Sequence, residues 1–138
     1  MSLNRFLEAQ ANIYDQALTE ISNGHKQSHW MWYIFPQIAG LGHSSTAQYY
    51  AIANAHEAEA YAQHPVLGAR LVACVQAALN SGVSNPFNLF GHIDALKFKS
   101  CLTLFATVVP QNKVFAQALH YFYDGATDQR TLKLLNAL

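Results

Sequence analysis

Residues Asn54–Gly82 read NAHEAEAYAQHPVLGARLVACVQAALNSG, and this stretch decides the fold class. Asn54 and Glu57 have the spacing of a capping box, in which two side chains satisfy free backbone amides at a helix start. We expect this helix to end near His64, because proline disfavours the α conformation in the residue before it. Pro65 itself suits the first turn of a second helix.

The second helix carries its apolar side chains at helical spacing and ends in a turn signal. The apolar positions are Leu67, Leu71, Cys74, Val75, Ala78 and Leu79, and the stop is Asn80-Ser81-Gly82. A cap, a run with 3.6-residue periodicity and a Gly or Pro stop therefore occur twice in succession.

The same pattern recurs on both sides of this stretch. On the N-terminal side it predicts one helix over 3–23 ended by Gly24, a turn capped by Ser28, and a helix that Ser44 or Ser45 caps and that reaches Ile52. On the C-terminal side it predicts a single turn opened by Asn85-Pro86 and a helix capped by Asp94 that runs to Val109. It also predicts a helix capped by Asn112 that runs to Tyr123. The last predicted helix starts at Thr127 or Asp128 and has Leu132, Leu135 and Leu138 as its apolar positions. The sequence thus predicts an all-α fold, a compact single-domain bundle or array of seven to eight short helices over residues 1–138.

One segment, Trp30–Phe35, has the residue types of a β-strand. A strand needs a partner, and no other segment alternates with a period of two residues. We therefore interpret it as a buried helical turn.

Composition excludes several classes of partner. The chain has 138 residues, 51% of them hydrophobic and only 12% charged, with eight basic and eight acidic side chains. Without a basic excess, broad binding to nucleic acid or to an anionic membrane surface is not expected. Weak charge repulsion near pH 7 favours self-association, so a homo-oligomer is one expected state.

No apolar run reaches the ~20 residues of a membrane span, and the first residues lack the apolar stretch of a signal peptide. Cys74 and Cys101 both fall in helical patterns, without metal-type spacing. We expect a cytoplasmic protein with two reduced, buried thiols. No metal or cofactor motif is present, so we expect neither group.

Polar residues on apolar helix faces are the candidate site residues. Gln10 lies in the middle of the apolar arc of the first helix, as a structural hydrogen-bonding group or as a pocket wall. Glu8, Asp15 and Glu20 lie outside or at the edge of that arc, where contact with solvent accounts for them. 

Lys97 falls inside the apolar arc of its helix, where an ammonium group needs a partner or a lowered pKa. Asp94 is the expected partner, three residues earlier. The two interpretations are an ordinary Asp94–Lys97 pair at the domain edge and a lysine that faces a ligand. Arg70 lies at the margin of the apolar face of its own helix.

The string KQSHWMWYIFPQIAGLG, residues Lys26–Gly42, closely resembles the signature of the bacterial domain-of-unknown-function family 1810. Residues 6–10, 64–71 and 94–105 and the tail over 121–132 also fit that family, with Cys101-Leu102 as a mild departure. The resemblance implies a compact, mainly helical fold and no known reaction. Some relatives are labelled calpastatin, but that protease inhibitor is a long disordered chain, so the label gains no support.

The first functional hypothesis is a small-molecule site, with catalytic activity left open. It assigns His29, Lys97 and Asp94 to acid/base or catalytic roles and expects a small anionic or nucleotide-like ligand. The ligand-binding candidates are Gln10, Lys26, Ser28, Trp30, Trp32, Gln37, Arg70 and Ser100. The alternative hypothesis is a non-catalytic interaction or structural module, in which the aromatic motif is core or partner surface.

Overall fold

The computed structural model describes residues 2–137, and within them the chain forms ten α-helices rather than seven or eight. Their bounds are α1 Asn4–Gln10, α2 Tyr14–Ser22, α3 Met31–Ile34, α4 Ser45–Tyr49, α5 Ala55–Gln63, α6 Leu67–Asn80, α7 Pro86–Phe90, α8 His92–Val108, α9 Val114–Tyr123 and α10 Gln129–Leu134. The predicted all-α class is confirmed. In the described part of the chain, no helix is long and apolar enough to cross a membrane.

Residues 54–82 fold as expected, into α5 and α6. The Asn54 side chain accepts a hydrogen bond from the Glu57 amide at 2.9 Å, and α5 ends before His64. Pro65 lies in the turn rather than inside α6. The His64 Nδ1 atom instead accepts hydrogen bonds from the Val66 and Leu67 amides, which α6 leaves free at its start.

Helix α8 is the centre of the molecule and packs against α5, α7, α9 and α10. Phe98, Leu102 and Phe105 on this helix are fully buried, and so is Thr103 on its other side. Thr103 is enclosed because its hydroxyl accepts a hydrogen bond from the Asp128 amide, at the start of α10. The middle of α8 is therefore buried and its two ends face solvent, with Lys97 half-buried in the N-terminal part.

The predicted single helix over 3–23 is wrong, because the chain turns at Ala11–Ile13 between α1 and α2. This turn lets α1 pack against α3 while α2 packs against α6. No glycine or proline marks it in the sequence, so only tertiary packing explains it.

Three other local predictions are also wrong. Asp94 does not cap α8, which begins at His92 after Gly91, and its carboxylate binds lysines instead. Ser28 does not cap α3, because its hydroxyl donates to Glu20. Ile52 is not helical; it forms a parallel bridge with Ile38.

Three other predicted caps agree with the sequence, whereas Asn112 does not cap α9, which begins at Val114 with Lys113 at its cap position. Ser44 caps α4, Asn85 caps α7 with Pro86 in its first turn, and Asp128 caps α10. Cys74 and Cys101 are buried and unbonded to each other. The predicted apolar position Leu138 lies outside the described residues.

Candidate functional site

A chain of three charged side chains joins the tryptophan segment to α8. The Lys26 ammonium lies 2.9 Å from Oδ2 of Asp94, and the Lys97 ammonium lies 3.3 Å from Oδ1 of the same carboxylate. Lys26 also donates to the Ser28 carbonyl at 2.6 Å. Two cations thus share one anion, which leaves the cluster with a net charge of about +1.

The two lysines differ in how far their side chains are exposed to solvent. The Lys26 side chain is 7% exposed, with its ammonium 5.0 Å from the centre of the Trp30 ring. The Lys97 side chain is 23% exposed, and its ammonium lies 4.1 Å from the centre of the Trp32 ring. Asp94 pairs with Lys97, but an ammonium has three donors, so Lys97 keeps hydrogen-bonding capacity for another group.

Trp32 and Lys97 together line two neighbouring clefts. The first, which we call the His29 cleft, has a volume of about 320 Å³ and is lined by Lys26, His29, Met31, Trp32, Tyr33, Ser44, Thr46, Asp94 and Lys97. The second, the Gln37 cleft, has a volume of about 350 Å³ and is lined by Trp32, Gln37, Leu41, Gly42, Ile93, Leu96, Lys97, Ser100, Asp128 and Arg130. Both volumes are at the lower end of the range for small-molecule sites.

A buried carboxylate holds the loop that presents the His29 cleft. Oε1 of Glu20 accepts hydrogen bonds from the Gln27 and Ser28 amides and from the indole nitrogen of Trp30, at 2.8–3.0 Å. Burial by itself raises the pKa of Glu20, but the hydrogen bonds from Gln27, Ser28 and Gln16 outweigh it and lower the pKa to about 2. The carboxylate is therefore ionised at neutral pH and fixes residues 27–30.

The glycine-containing loop after Pro36 forms the wall of the Gln37 cleft. A Cβ atom at Gly42 would lie 2.6 Å from Cβ of Ala47 and 3.2 Å from the Trp32 ring. The absence of a side chain at Gly42 thus lets the indole and α4 approach the loop. Behind Trp32 and this loop lies a small chamber of about 100 Å³, which Gln37 also lines.

Seven of the sequence-predicted site residues come together here. Lys26, His29, Trp32, Asp94 and Lys97 line the His29 cleft, while Gln37 and Ser100 line the Gln37 cleft, which Trp32 and Lys97 share. His29 is exposed. The Ser100 hydroxyl donates to the Leu96 carbonyl at 3.1 Å.

Four predicted residues have other places in the fold. Trp30 is fully buried and Ser28 binds Glu20, so these two support the loop. Gln10 is buried, with its amide nitrogen 2.7 Å from the Tyr33 carbonyl. Arg70 lies 3.3 Å from the Gln10 amide oxygen and lines neither cleft. The sequence hypothesis of one site that contains both Arg70 and Lys97 is therefore corrected, because Arg70 does not share a cleft with Lys97.

Sequence reasoning missed two residues that matter for this site. Helical periodicity places Glu20 towards solvent, yet it is 8% exposed and organises the loop. Glu20 lies one helical turn after the buried Ala17, and this position could have indicated that its side chain is buried. Arg130 gave no sequence signal, because only the packing of α10 brings it to the Gln37 cleft. Over residues 2–137, no group of three or more His, Cys, Asp or Glu side chains is placed to hold a metal ion.

Comparisons with known proteins agree with the resemblance in the sequence motifs. The family model described as "Protein of unknown function (DUF1810)" matches residues 1–135. Among solved structures, the conserved hypothetical protein Rv1873 from Mycobacterium tuberculosis is 40% identical, and the match covers 99% of this chain and 97% of that chain with a TM-score of 0.95. A search of curated proteins found no match.

Proposed function

The chain belongs to the DUF1810 family of proteins of unknown function, and from that premise we propose that it binds a small anionic ligand beside Trp32 and Lys97. The observation that supports this most is the incomplete pairing of Lys97. Its ammonium lies between an indole face and one carboxylate that it shares with Lys26, and it borders both clefts. A phosphate or carboxylate oxygen would complete its hydrogen bonding.

The size and lining of the clefts support a metabolite rather than a macromolecule. Each cleft has space for a ligand of small-molecule size, with an aromatic wall and a few polar groups. His29, Ser44 and Thr46 line the same cleft as Lys97. In this proposal His29 hydrogen-bonds or protonates a bound oxygen, which is the acid/base role that the sequence predicts for it. The free, buried cysteines accord with a cytoplasmic location.

The test is a titration of the protein with pyrophosphate, phosphate monoesters and dicarboxylates by isothermal calorimetry. We expect the Lys97→Ala variant to bind the best of these anions at least about tenfold more weakly, as the loss of a charge-assisted hydrogen bond implies. Lys99→Ala is the matched control, because it removes the same charge from the same helix next to Tyr123 instead of Trp32.

Equal losses in Lys97→Ala and Lys99→Ala would show a general charge effect and would contradict the proposal. No binding of any anion to the wild-type protein would contradict it as well. Melting temperatures of both variants, measured without ligand, exclude unfolding as the cause of lost binding.

A partner-binding module is the second candidate, and one observation favours it. Ile93 and Leu96 on α8 are 68% and 52% exposed, and both lie on the rim of the Gln37 cleft. Exposed apolar side chains beside a concave surface are typical of protein contacts. This candidate predicts that copies of the chain associate through this surface.

A further inference from the structure

The side-chain amide of Gln37 is buried without a partner. The residue is 7% exposed, and its Nε2 atom has no hydrogen-bond acceptor among the described residues. Buried polar atoms are almost always paired, so an unpaired donor requires an explanation. This one lies in the wall between the Gln37 cleft and the small chamber behind Trp32.

The main chain at Gln37 is held by hydrogen bonds to Ile52. The Gln37 carbonyl accepts a hydrogen bond from the Ile52 amide at 2.8 Å, and the Ala39 amide donates to the Ile52 carbonyl at 2.8 Å. Pro36, immediately before, restricts the main chain further. Two backbone hydrogen bonds and a proline therefore fix the main chain of Gln37, whose side chain borders both cavities without a partner for its Nε2 atom.

The other residues of the Gln37 cleft supply charged groups, apolar surface and a hydroxyl group. Lys97 and Arg130 supply positive charge, and Leu41, Ile93 and Leu96 supply apolar surface. The cleft also contains the Asp128 carboxylate, which accepts hydrogen bonds from the Thr131 amide and hydroxyl at the start of α10. The Ser100 hydroxyl is already committed to the Leu96 carbonyl. Gln37 thus offers a neutral donor next to a cationic and an apolar region.

Resting on the proposed function, we infer that Gln37 is the specificity-determining donor of the anion site and hydrogen-bonds a carbonyl-type oxygen of the ligand. The ligand class is then a phosphate or carboxylate anion on a planar or apolar body that also carries a carbonyl oxygen. The anion binds Lys97, the body lies against the apolar wall, and the carbonyl oxygen accepts from Nε2 of Gln37.

Matched probes test this inference. Phenyl phosphate has the anion and the planar body, and 3- and 4-acetylphenyl phosphate add a carbonyl oxygen at two spans. Their affinities are measured by calorimetry for the wild type, for Gln37→Met and for Gln48→Met. Methionine matches glutamine in length and removes the amide. Gln48 lines the same chamber but donates to the His43 carbonyl, so its variant is the control.

We expect the wild type to bind at least one acetyl ester about five- to tenfold more tightly than phenyl phosphate, as one hydrogen bond to a buried donor implies. Gln37→Met should lose this preference and keep its affinity for phenyl phosphate, whereas Gln48→Met should keep both. Lys97→Ala should weaken binding of all the esters.

Lys97-dependent binding without any preference for an acetyl ester would overturn the role of Gln37 and leave the proposed function intact. A preference that survives in Gln37→Met would also overturn it. If no ester binds the wild type, the proposed function fails and this inference fails with it.

Thermal unfolding separates a ligand-facing amide from a structural one. Replacing an unpartnered buried donor with an apolar side chain of the same shape removes an unfavourable group, so the melting temperature of Gln37→Met should equal or exceed that of the wild type. A drop of several degrees would show that the amide is paired within the protein and would overturn the inference.

Discussion

At the scale of the residue, three buried polar side chains from α1, α2 and the loop before α4 differ in their hydrogen-bond partners. Gln10 is satisfied on both ends of its amide, by Tyr33, Tyr61 and Arg70, and joins α1 to the elements around it. Glu20 is satisfied by several donors of one loop. An unpaired donor, by contrast, distinguishes Gln37 from both. Burial of a polar side chain alone therefore does not identify a site residue. What distinguishes such a residue is whether its polar atoms have hydrogen-bond partners within the protein.

Glu20 makes stability depend on pH. Its folded-state pKa of about 2 lies below the ordinary value of 4.5, so its contribution is fully present above about pH 5 and is lost as the pH falls towards 2. We expect Glu20→Gln to lower the free energy of unfolding at pH 7 by about 2 kcal/mol, after allowance for solvent screening. Urea denaturation of both proteins from pH 7 to pH 2.5 measures this.

The matched control is Glu59→Gln, which removes an exposed carboxylate from α5. It should change stability by less than about 0.5 kcal/mol. If the stability of Glu20→Gln falls with acid as steeply as that of the wild type, Glu20 does not cause the pH dependence.

At the scale of the element, the contact between α5 and α6 depends on a glycine inside a helix. A Cβ atom at Gly68 would lie 2.1 Å from the Ala62 carbonyl oxygen, which is backbone and cannot turn aside. Glycine costs a helix about 1 kcal/mol relative to alanine, and here that cost allows the two helices to meet closely after His64.

Gly68→Ala should therefore lower the free energy of unfolding by about 3 kcal/mol, although alanine has the higher helix propensity. Ala69→Gly, at the exposed neighbouring position, should cost only about 1 kcal/mol through propensity. Thermal and chemical denaturation of the two variants compare these effects. A stabilised Gly68→Ala protein would show that the α5–α6 contact is looser than described.

At the scale of the whole molecule, the scarcity of charge has two consequences. Of the sixteen charged side chains, five form ion pairs among the described residues, in Arg5–Glu57 and Lys26–Asp94–Lys97. The net charge is zero, so repulsion between copies is weak near pH 7. Apolar residues such as Ile93 are then free to make contacts between molecules.

We expect the weight-average mass at pH 7 to rise with protein concentration in sedimentation equilibrium. Ile93→Lys should suppress this rise, because it removes an exposed apolar side chain and adds charge at the cleft rim. Gln63→Lys adds the same charge at an exposed position at the end of α5 and should suppress it less. A strict monomer at all concentrations would contradict both self-association and the partner-binding candidate.

Sequence alone predicted the helical class and most helix ends, because caps, proline and glycine act through neighbouring residues. Asn54, Asn85 and Asp128 each satisfy backbone amides two or three residues away, and such local signals are readable in one dimension. The anomalous position of Lys97 was readable for the same reason, since helical periodicity places it among apolar residues.

Tertiary structure alone decided the break after Gln10, the role of Glu20 and the choice of cations at the site. These depend on partners far along the chain: Gln10 meets Tyr33 and Tyr61, and Asp94 meets Lys26. A side chain's periodicity tells which face of its helix it occupies, but not which other element that face meets. The sequence therefore determined the helices and singled out Lys97, while the packing around α8 decided that Trp32 and Gln37, and not Arg70, lie beside it.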